Sequence, residues 1–468
     1  MKSRFRVSDE PEYIGRCETI YSNPYQSSVV STSQYEQIAY QIYVNSQSVL
    51  FMLNYRTLCS SPVWRGAAGR TAVGTLGVRE RVVESAESFC RPATATCGRG
   101  TDSVLDVIPL PNRSQRIHRN PYRSPIPTPD MDVFEGTILA GESFEPVTGR
   151  VVVENGRIEA VEECETASTD IVLPAFVNAH THLGDSVAKE AAVGLSLEEA
   201  VAPPDSLKHR RLAGADRGDL VTAMRRTLRL MGRTGTASCL DFRESGGSGA
   251  RALREAAESV DVDPFIFGSG DRSVLDAADG YGASGANDDD FTEERAAAAK
   301  RNVPFAIHAG EPDATDIHPA LDLDPDLLVH MVHAERDHLQ RVADQSVPVA
   351  VCPRTNATLG VGRPPIRDLL DHTTVALGTD NVMLNPPSMF REMAYTAREF
   401  DVTARYVLRM ATTAGAEVVG LDCGVVAPGG RAALTILDGD SDNLTGSDHP
   451  VRSVVRRATA LDVERVVL

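Results

Sequence analysis

Between residues 171 and 379 short apolar runs alternate with helical patterns. That alternation constrains the fold more than any other feature of the chain. The runs occupy 171–179, 236–241, 264–268, 303–308, 327–333, 347–352 and 375–379. The glycine-rich Gly280-Tyr-Gly-Ala-Ser-Gly285 supplies a further, weaker strand between the third and fourth. Amphipathic stretches such as Asp219–Met231, Ala250–Ser259, Glu293–Arg301, Arg336–Asp344 and Pro387–Arg398 separate most of them. Eight strands alternating with helices predict an α/β chain whose centre is a (β/α)8 TIM barrel. Around it, Val151–Val153 and Arg157–Val161 flank Asn155-Gly156 and read as a hairpin. Ala433–Leu437 and Val451–Arg457 read as returning short strands. Together these segments predict a small β-sandwich domain built from both sides of the barrel: 131–170, then the barrel over 171–419, then 420–468.

The first 130 residues do not share this pattern. They hold 15 basic and 11 acidic side chains, against 32 and 54 in the remainder, together with the only tryptophan, Trp64. They close in a proline-rich linker, Pro121–Asp130. Only an apolar patch around Ile38–Leu53 suggests order. The segment is expected to be a disordered extension, a small accessory domain, or a spurious addition upstream of a start at Met131; the abrupt change of charge sign favours the last. A zinc module from Cys59, Cys90 and Cys97 fits no spacing template.

The formal net charge of −18 excludes a nucleic-acid partner, which needs a basic surface. No apolar run approaches a bilayer span or a signal-peptide core, so no membrane association and a cytoplasmic location are expected. The eight cysteines contain no CxxC pair and read as free thiols. Only Lys2, Lys189, Lys208 and Lys300 are lysine among 47 basic residues. An acidic surplus with so much arginine points to a salt-adapted, GC-rich source.

In a barrel of this kind reactive groups belong at the C-terminal ends of strands. The first run ends in Asn178-Ala-His180-Thr-His182, two imidazoles on one side of an extended segment. The fifth ends in His308-Ala-Gly-Glu311, the sixth in Leu328-Val-His330-Met-Val-His333, and the eighth in Leu377-Gly-Thr-Asp380. Four separate strand ends that all carry ligand-type residues point to one metal centre. Asp185, Asp241-Phe-Arg243-Glu244 and Arg272 fall where substrate contacts belong. Arg243 and Arg354 could grip an anionic group or form rim ion pairs. His118, His209, His318, His338, His372 and His449 look like surface or loop residues, and Asp288–Asp290 like a helix cap.

The run Val172-Leu-Pro-Ala-Phe-Val-Asn-Ala-His-Thr-His-Leu183 resembles the first-strand signature of the amidohydrolase superfamily. The spacing to HAGE, to the sixth-strand VH and to GTD resembles its cytosine deaminase and chlorohydrolase-like (ATZ/TRZ-type) branch. HAGE also resembles the fifth-strand motif of adenosine deaminases, and Cys352-Pro-Arg-Thr-Asn356 a seventh-strand segment. Val426-Ala-Pro-Gly-Gly and Leu434–Asp438 resemble the signature of the C-terminal small domain, with Ala433 where the family carries an acidic residue. The resemblance covers 131–468.

The resemblance implies that His180, His182, His308 and Asp380 bind one divalent ion, zinc first and iron(II) second. It further implies Glu311 as proton shuttle, His330 as the group facing developing negative charge, and Asp380 as ligand and general base. His333, three residues beyond His330, is expected to face away. Binuclear members bridge their metals with a strand-four lysine; none lies near Gly280–Ser284, so one ion is expected. The implied reaction is deamination of an aminated heterocycle, a purine or pyrimidine base or nucleoside. Hydrolysis of a cyclic amide, a formimino group or a ring chloride at the same site is the alternative, with a non-catalytic barrel behind both. The expected partner is a small heterocyclic substrate, and a homo-oligomer is left open.

Overall fold

The computed structural model describes residues 131–468 and, before them, two strands, β1 (Gln37–Val44) and β2 (Gln47–Asn54). These pair antiparallel with Gln37 opposite Asn54, on the apolar patch noted above. The expectations for His118, for the Cys59, Cys90 and Cys97 module and for the 121–130 linker fall outside the described residues.

From Met131 the chain forms β3 (Met131–Ala140), β4 (Glu145–Glu154), β5 (Arg157–Glu163) and β6 (Ile171–Pro174). The β4–β5 connection is Asn155 (φ 52°) and Gly156 (φ 74°). Both central residues of a type I′ turn need positive φ, which Asn-Gly provides at little steric cost. The barrel follows: β7 (Phe176–His182), β8 (Thr236–Arg243), β9 (Asp263–Gly268), β10 (Gly280–Gly285), β11 (Phe305–Ala309), β12 (Leu327–His330), β13 (Val349–Val351), β14 (Val375–Leu377) and β15 (Asp380–Asn381). Each is parallel to the next in order, and β15 pairs with β7, Asp380 opposite Thr181 and Asn381 opposite His182. Only Gly378 and Thr379 separate β14 from β15, so they form one interrupted passage and the ring returns to its first strand. This is a TIM-barrel-like fold. Strands such as β7 and β12 are buried along their whole length because helices cover the sheet outside and side chains fill it inside. The five amphipathic stretches are helices, at Arg217–Arg233, Gly246–Ala257, Thr292–Arg301, Arg336–Gln345 and Met389–Glu399.

Two boundaries differ from the sequence reading. The run 171–179 is not one barrel strand. Ala175 N–H donates to Ala433 O (2.9 Å), but the next amide, Phe176 N–H, donates to Gly235 O (2.7 Å). Ile171–Pro174 therefore joins the outer sheet, in the order β17-β16-β6-β3-β4-β5, where β16 is Leu434–Leu437 and β17 is Val463–Val467. The segment expected as a strand at Val451–Arg457 is instead a helix, Pro450–Arg456, with Pro450 in its first turn and Ser453, Val454 and Val455 buried. Val451, Val454 and Val455 are spaced i, i+3, i+4, a helical stripe, and proline suits a helix start.

Closure of the ring depends on Gly378. A Cβ there would stand 2.7 Å from His180 Cβ and 2.8 Å from His180 N. Gly378→Ala is expected to cost about 1–3 kcal/mol by overpacking and to displace His180, so the substitution should lower both Tm and metal affinity. Thermal unfolding with and without zinc checks both effects.

Candidate metal and catalytic centre

The two imidazoles of β7 emerge on one side of the strand, with ring centroids 4.9 Å apart. His308, from β11, stacks on His182 (5.6 Å, 13° between planes) and meets His180 edge-on at 5.0 Å. His330, the last residue of β12, lies 5.4 Å from His308. Asp380, the first residue of β15, brings Oδ1 to 3.3 Å from His180 Nε2 and 3.5 Å from His182 Nε2. Ligating atoms of His180, His182 and His308, and likewise of His180, His330 and Asp380, lie within 4.8 Å of one another. Glu311 follows β11 and places Oε2 3.5 Å from His330 Nε2. All six residues expected at the centre are brought together. His333 is not among them, for its Nε2–H donates to Val361 O (2.9 Å).

The tautomers follow from the hydrogen bonds. His182 Nδ1–H donates to Glu244 Oε1 (2.9 Å) and Phe242 O (3.0 Å), and His308 Nδ1–H donates to Ala283 O (2.8 Å). In each ring Nε2 is left as a bare acceptor. Asn356 Nδ2–H donates to His330 Nδ1 (3.2 Å) and to Glu311 Oε1 (3.3 Å), so the His330 proton sits on Nε2. His180 is wholly buried, and neither ring nitrogen has a hydrogen-bond partner. Its approach to Asp380 lacks hydrogen-bond geometry and is no ion pair while the ring is neutral.

Burial pushes all four imidazoles down, His182 to about 3, so each is neutral at pH 7. Burial, then the charge of Asp380, raises Glu311 well above the usual carboxylate range, which favours its acid form. Backbone strain marks the same places: His330 (φ 77°), Met331 (φ 52°) and Asp380 (φ 59°) lie in the left-handed region. The donor set fits a divalent ion. Three neutral imidazoles and a carboxylate converge, and the lone-pair nitrogen of the buried, unpartnered His180 ring carries a desolvation cost that a cation would remove.

Several expected substrate contacts are already engaged within the protein. Asp185 is buried, raised to about 8 chiefly by burial, and accepts from Asn381 Nδ2 (3.0 Å) and Met383 N (3.1 Å). It ties the turn after β7 to the segment after β15. Arg243 is 1% exposed and bound to Glu244 and Asp241. Arg354 holds buried Glu392 (3.2 Å) and Asn385 Oδ1 (2.9 Å). Arg272 forms an exposed pair with Glu293. Neither Arg243 nor Arg354 is a free anion clamp. His338, expected at the surface, is buried, and its Nδ1 accepts from Glu335 N (3.0 Å) at a helix start. Asp290 accepts from Thr292 N and Oγ1 just before the helix Thr292–Arg301, whose cap residue is Phe291, without a side-chain cap bond. The four cysteines among the described residues are free, and no helix among them is long and apolar enough to cross a membrane.

Two groups near the centre were not singled out from the sequence. Lys208, 4% exposed, places Nζ 2.5 Å from Glu244 Oε1. Its rarity in an arginine-rich chain was the available signal. Asn356 lay inside a quoted motif but had no role until its two hydrogen bonds were seen.

Comparison with known proteins agrees with this construction. Residues 171–468 match the model of the "Amidohydrolase family". A protein of Methanothermobacter thermautotrophicus, provisionally named an aminohydrolase, is 32% identical over 382 residues, covering 72% of this chain and 97% of its own. The 5-methylthioadenosine/S-adenosylhomocysteine deaminase of Halobacterium salinarum is 26% identical over 393 residues, covering 72% and 88%. Among solved structures, atrazine chlorohydrolase from Arthrobacter aurescens complexed with zinc superposes with a TM-score of 0.60 at 18% identity, covering 72% of this chain and 93% of that one. The strand order, the assembled histidines and these matches agree: the chain belongs to the amidohydrolase family.

Proposed function

We propose that this hydrolase of C–N bonds deaminates an aminated heterocycle, a purine or pyrimidine base or nucleoside. In this reading His180, His182, His308 and Asp380 hold one divalent ion, zinc before iron(II). The observation that carries it is His180, buried with two unpartnered nitrogens, grouped with the imidazoles of His182 and His308 and approached by Asp380, with Glu311 beyond them. The absence of lysine from β10 supports a single ion. The chlorohydrolase neighbour is complexed with zinc, and the Halobacterium relative is a deaminase by name.

A bound divalent ion lowers the pKa of water from about 15.7 toward about 7, which makes hydroxide available near neutral pH. The side chains do the rest. Glu311 would give its proton to the ring nitrogen beside the carbon under attack, pass one proton of the attacking water to the departing amine, and recover its own from the new hydroxyl as the carbonyl forms. His330 offers Nε2–H to the oxygen as negative charge grows there. Asp380 accepts from the attacking water and helps hold the ion. Water and the amine become a ring carbonyl and ammonia. The outer sheet, with strands from both ends of the 131–468 span, acts as the small β domain beside the barrel.

The test is ammonia release from a panel that includes adenosine, 5-methylthioadenosine, guanine and cytosine. We expect ammonia in proportion to substrate consumed for at least one member. Consumption of a substrate without ammonia would move the assignment to cyclic amides or ring chlorides, the last being what the chlorohydrolase neighbour's name describes.

A further inference from the structure

Behind His182 lies a set of buried charges that the reaction does not use. Glu244 follows β8 directly. Its Oε1 receives the His182 Nδ1–H (2.9 Å) and the Lys208 ammonium (2.5 Å), while its Oε2 receives the Arg243 guanidinium. Lys208 belongs to the helix Leu207–Gly214, within the segment that joins β7 to the barrel's first long helix. Arg243 fills a space that Gly184 leaves open: a Cβ on Gly184 would meet its guanidinium. Asp241, on the other side of Arg243, is engaged by Thr181 Oγ1–H (3.0 Å) and Leu183 N–H (2.5 Å).

Burying two cations and two carboxylates is costly, and such a group is rarely a net gain in stability over apolar packing. Its geometry points to another use. A carboxylate that faced only an imidazole N–H would be free to turn, and the ring with it. Two cations on opposite sides of Glu244 fix its plane, and the His182 ring is fixed in turn, Nδ1 protonated and Nε2 bare. One of those cations comes from a separate element.

We propose that Lys208 is a positioning residue for the metal centre: through Glu244 it locks the orientation and tautomer of His182, so that seating of the segment after β7 sets the affinity for the ion. This rests on the assignment of His182 as a ligand in the function proposed above.

The experiment is competition between the metal-free protein and a chromogenic chelator for zinc, which reads affinity without reference to turnover. Outer partners of metal-bound histidines typically contribute about 10–100-fold in affinity. Lys208→Met and Glu244→Gln should therefore each weaken zinc binding by about 10–100-fold. Because Lys208 acts through Glu244, the double variant should be no weaker than Glu244→Gln by more than about threefold, a marked failure of additivity. Lys208→Arg keeps the charge and should stay within about threefold of the natural protein. The proposal is overturned if Lys208→Met binds zinc within about twofold of the natural protein, if its effect persists in full without Glu244, or if neither Lys208 variant folds. Failure of the unaltered protein to bind zinc would overturn the metal assignment itself, a separate result.

Discussion

Replacing Glu311 by Gln should lower kcat for deamination by about 10²–10⁴-fold, the usual contribution of a positioned acid–base group, and should leave the zinc content unchanged. The amide keeps the size of the side chain and an oxygen for the Asn356 Nδ2–H, so the pocket holds its shape. What is lost is the acid proton. Burial and the neighbouring charge of Asp380 favour that proton on Glu311. The sign of the pH dependence follows. With its pKa raised, Glu311 stays a competent acid to higher pH than an ordinary carboxyl, and kcat/KM should fall on the alkaline limb where it deprotonates. In Glu311→Gln that limb should disappear from the residual activity. A variant with full turnover, or one that has lost its zinc, would remove Glu311 from this role.

Removing the metal should abolish turnover and lower Tm. Zinc at a thousandfold excess over Kd stabilises the folded state by about 4 kcal/mol, a shift of about 6 °C for a domain of this size. His180 makes the expectation more specific. With both ring nitrogens buried and unpartnered, it is a liability in the metal-free protein, and an unsatisfied buried polar group costs about 1–3 kcal/mol. His180→Leu should thus raise the Tm of the metal-free protein while abolishing activity and the zinc-induced shift. Calorimetry with and without zinc reads both. If His180→Leu destabilises the metal-free protein by several kcal/mol, the imidazole has partners and the argument fails.

The barrel and the centre were legible in the sequence for the same physical reason. Strands buried on both faces read as apolar runs, and titratable residues at the ends of such runs stand out against them. His180, His182, His308, Glu311, His330 and Asp380 could be found one strand at a time. Contacts between distant segments could not. That Arg354 is engaged by Glu392, and that Asp185 braces β15 and the segment after it, depends on packing between elements. Lys208 belongs to the same class, since nothing in its neighbourhood in the chain reveals a partner 36 residues on. The split at Ala175 was hidden because both halves of 171–179 are apolar, and the helix at Pro450–Arg456 because a valine-rich heptamer suits a strand nearly as well.

The seam between β15 and β7 has a consequence for how the protein is made. Asp380 and Asn381 pair with residues some two hundred positions earlier, and Asn178 Nδ2–H donates to Thr379 Oγ1 (2.8 Å) across the same join. Such distant pairings form late, because a long loop must close before they give any return. During synthesis the imidazoles at 180, 182, 308 and 330 leave the ribosome well before the carboxylate at 380. A chain interrupted before that point has every nitrogen donor of the proposed centre and no closed ring to hold them. Closing the ring and bringing the carboxylate at 380 to those imidazoles are thus the same folding event.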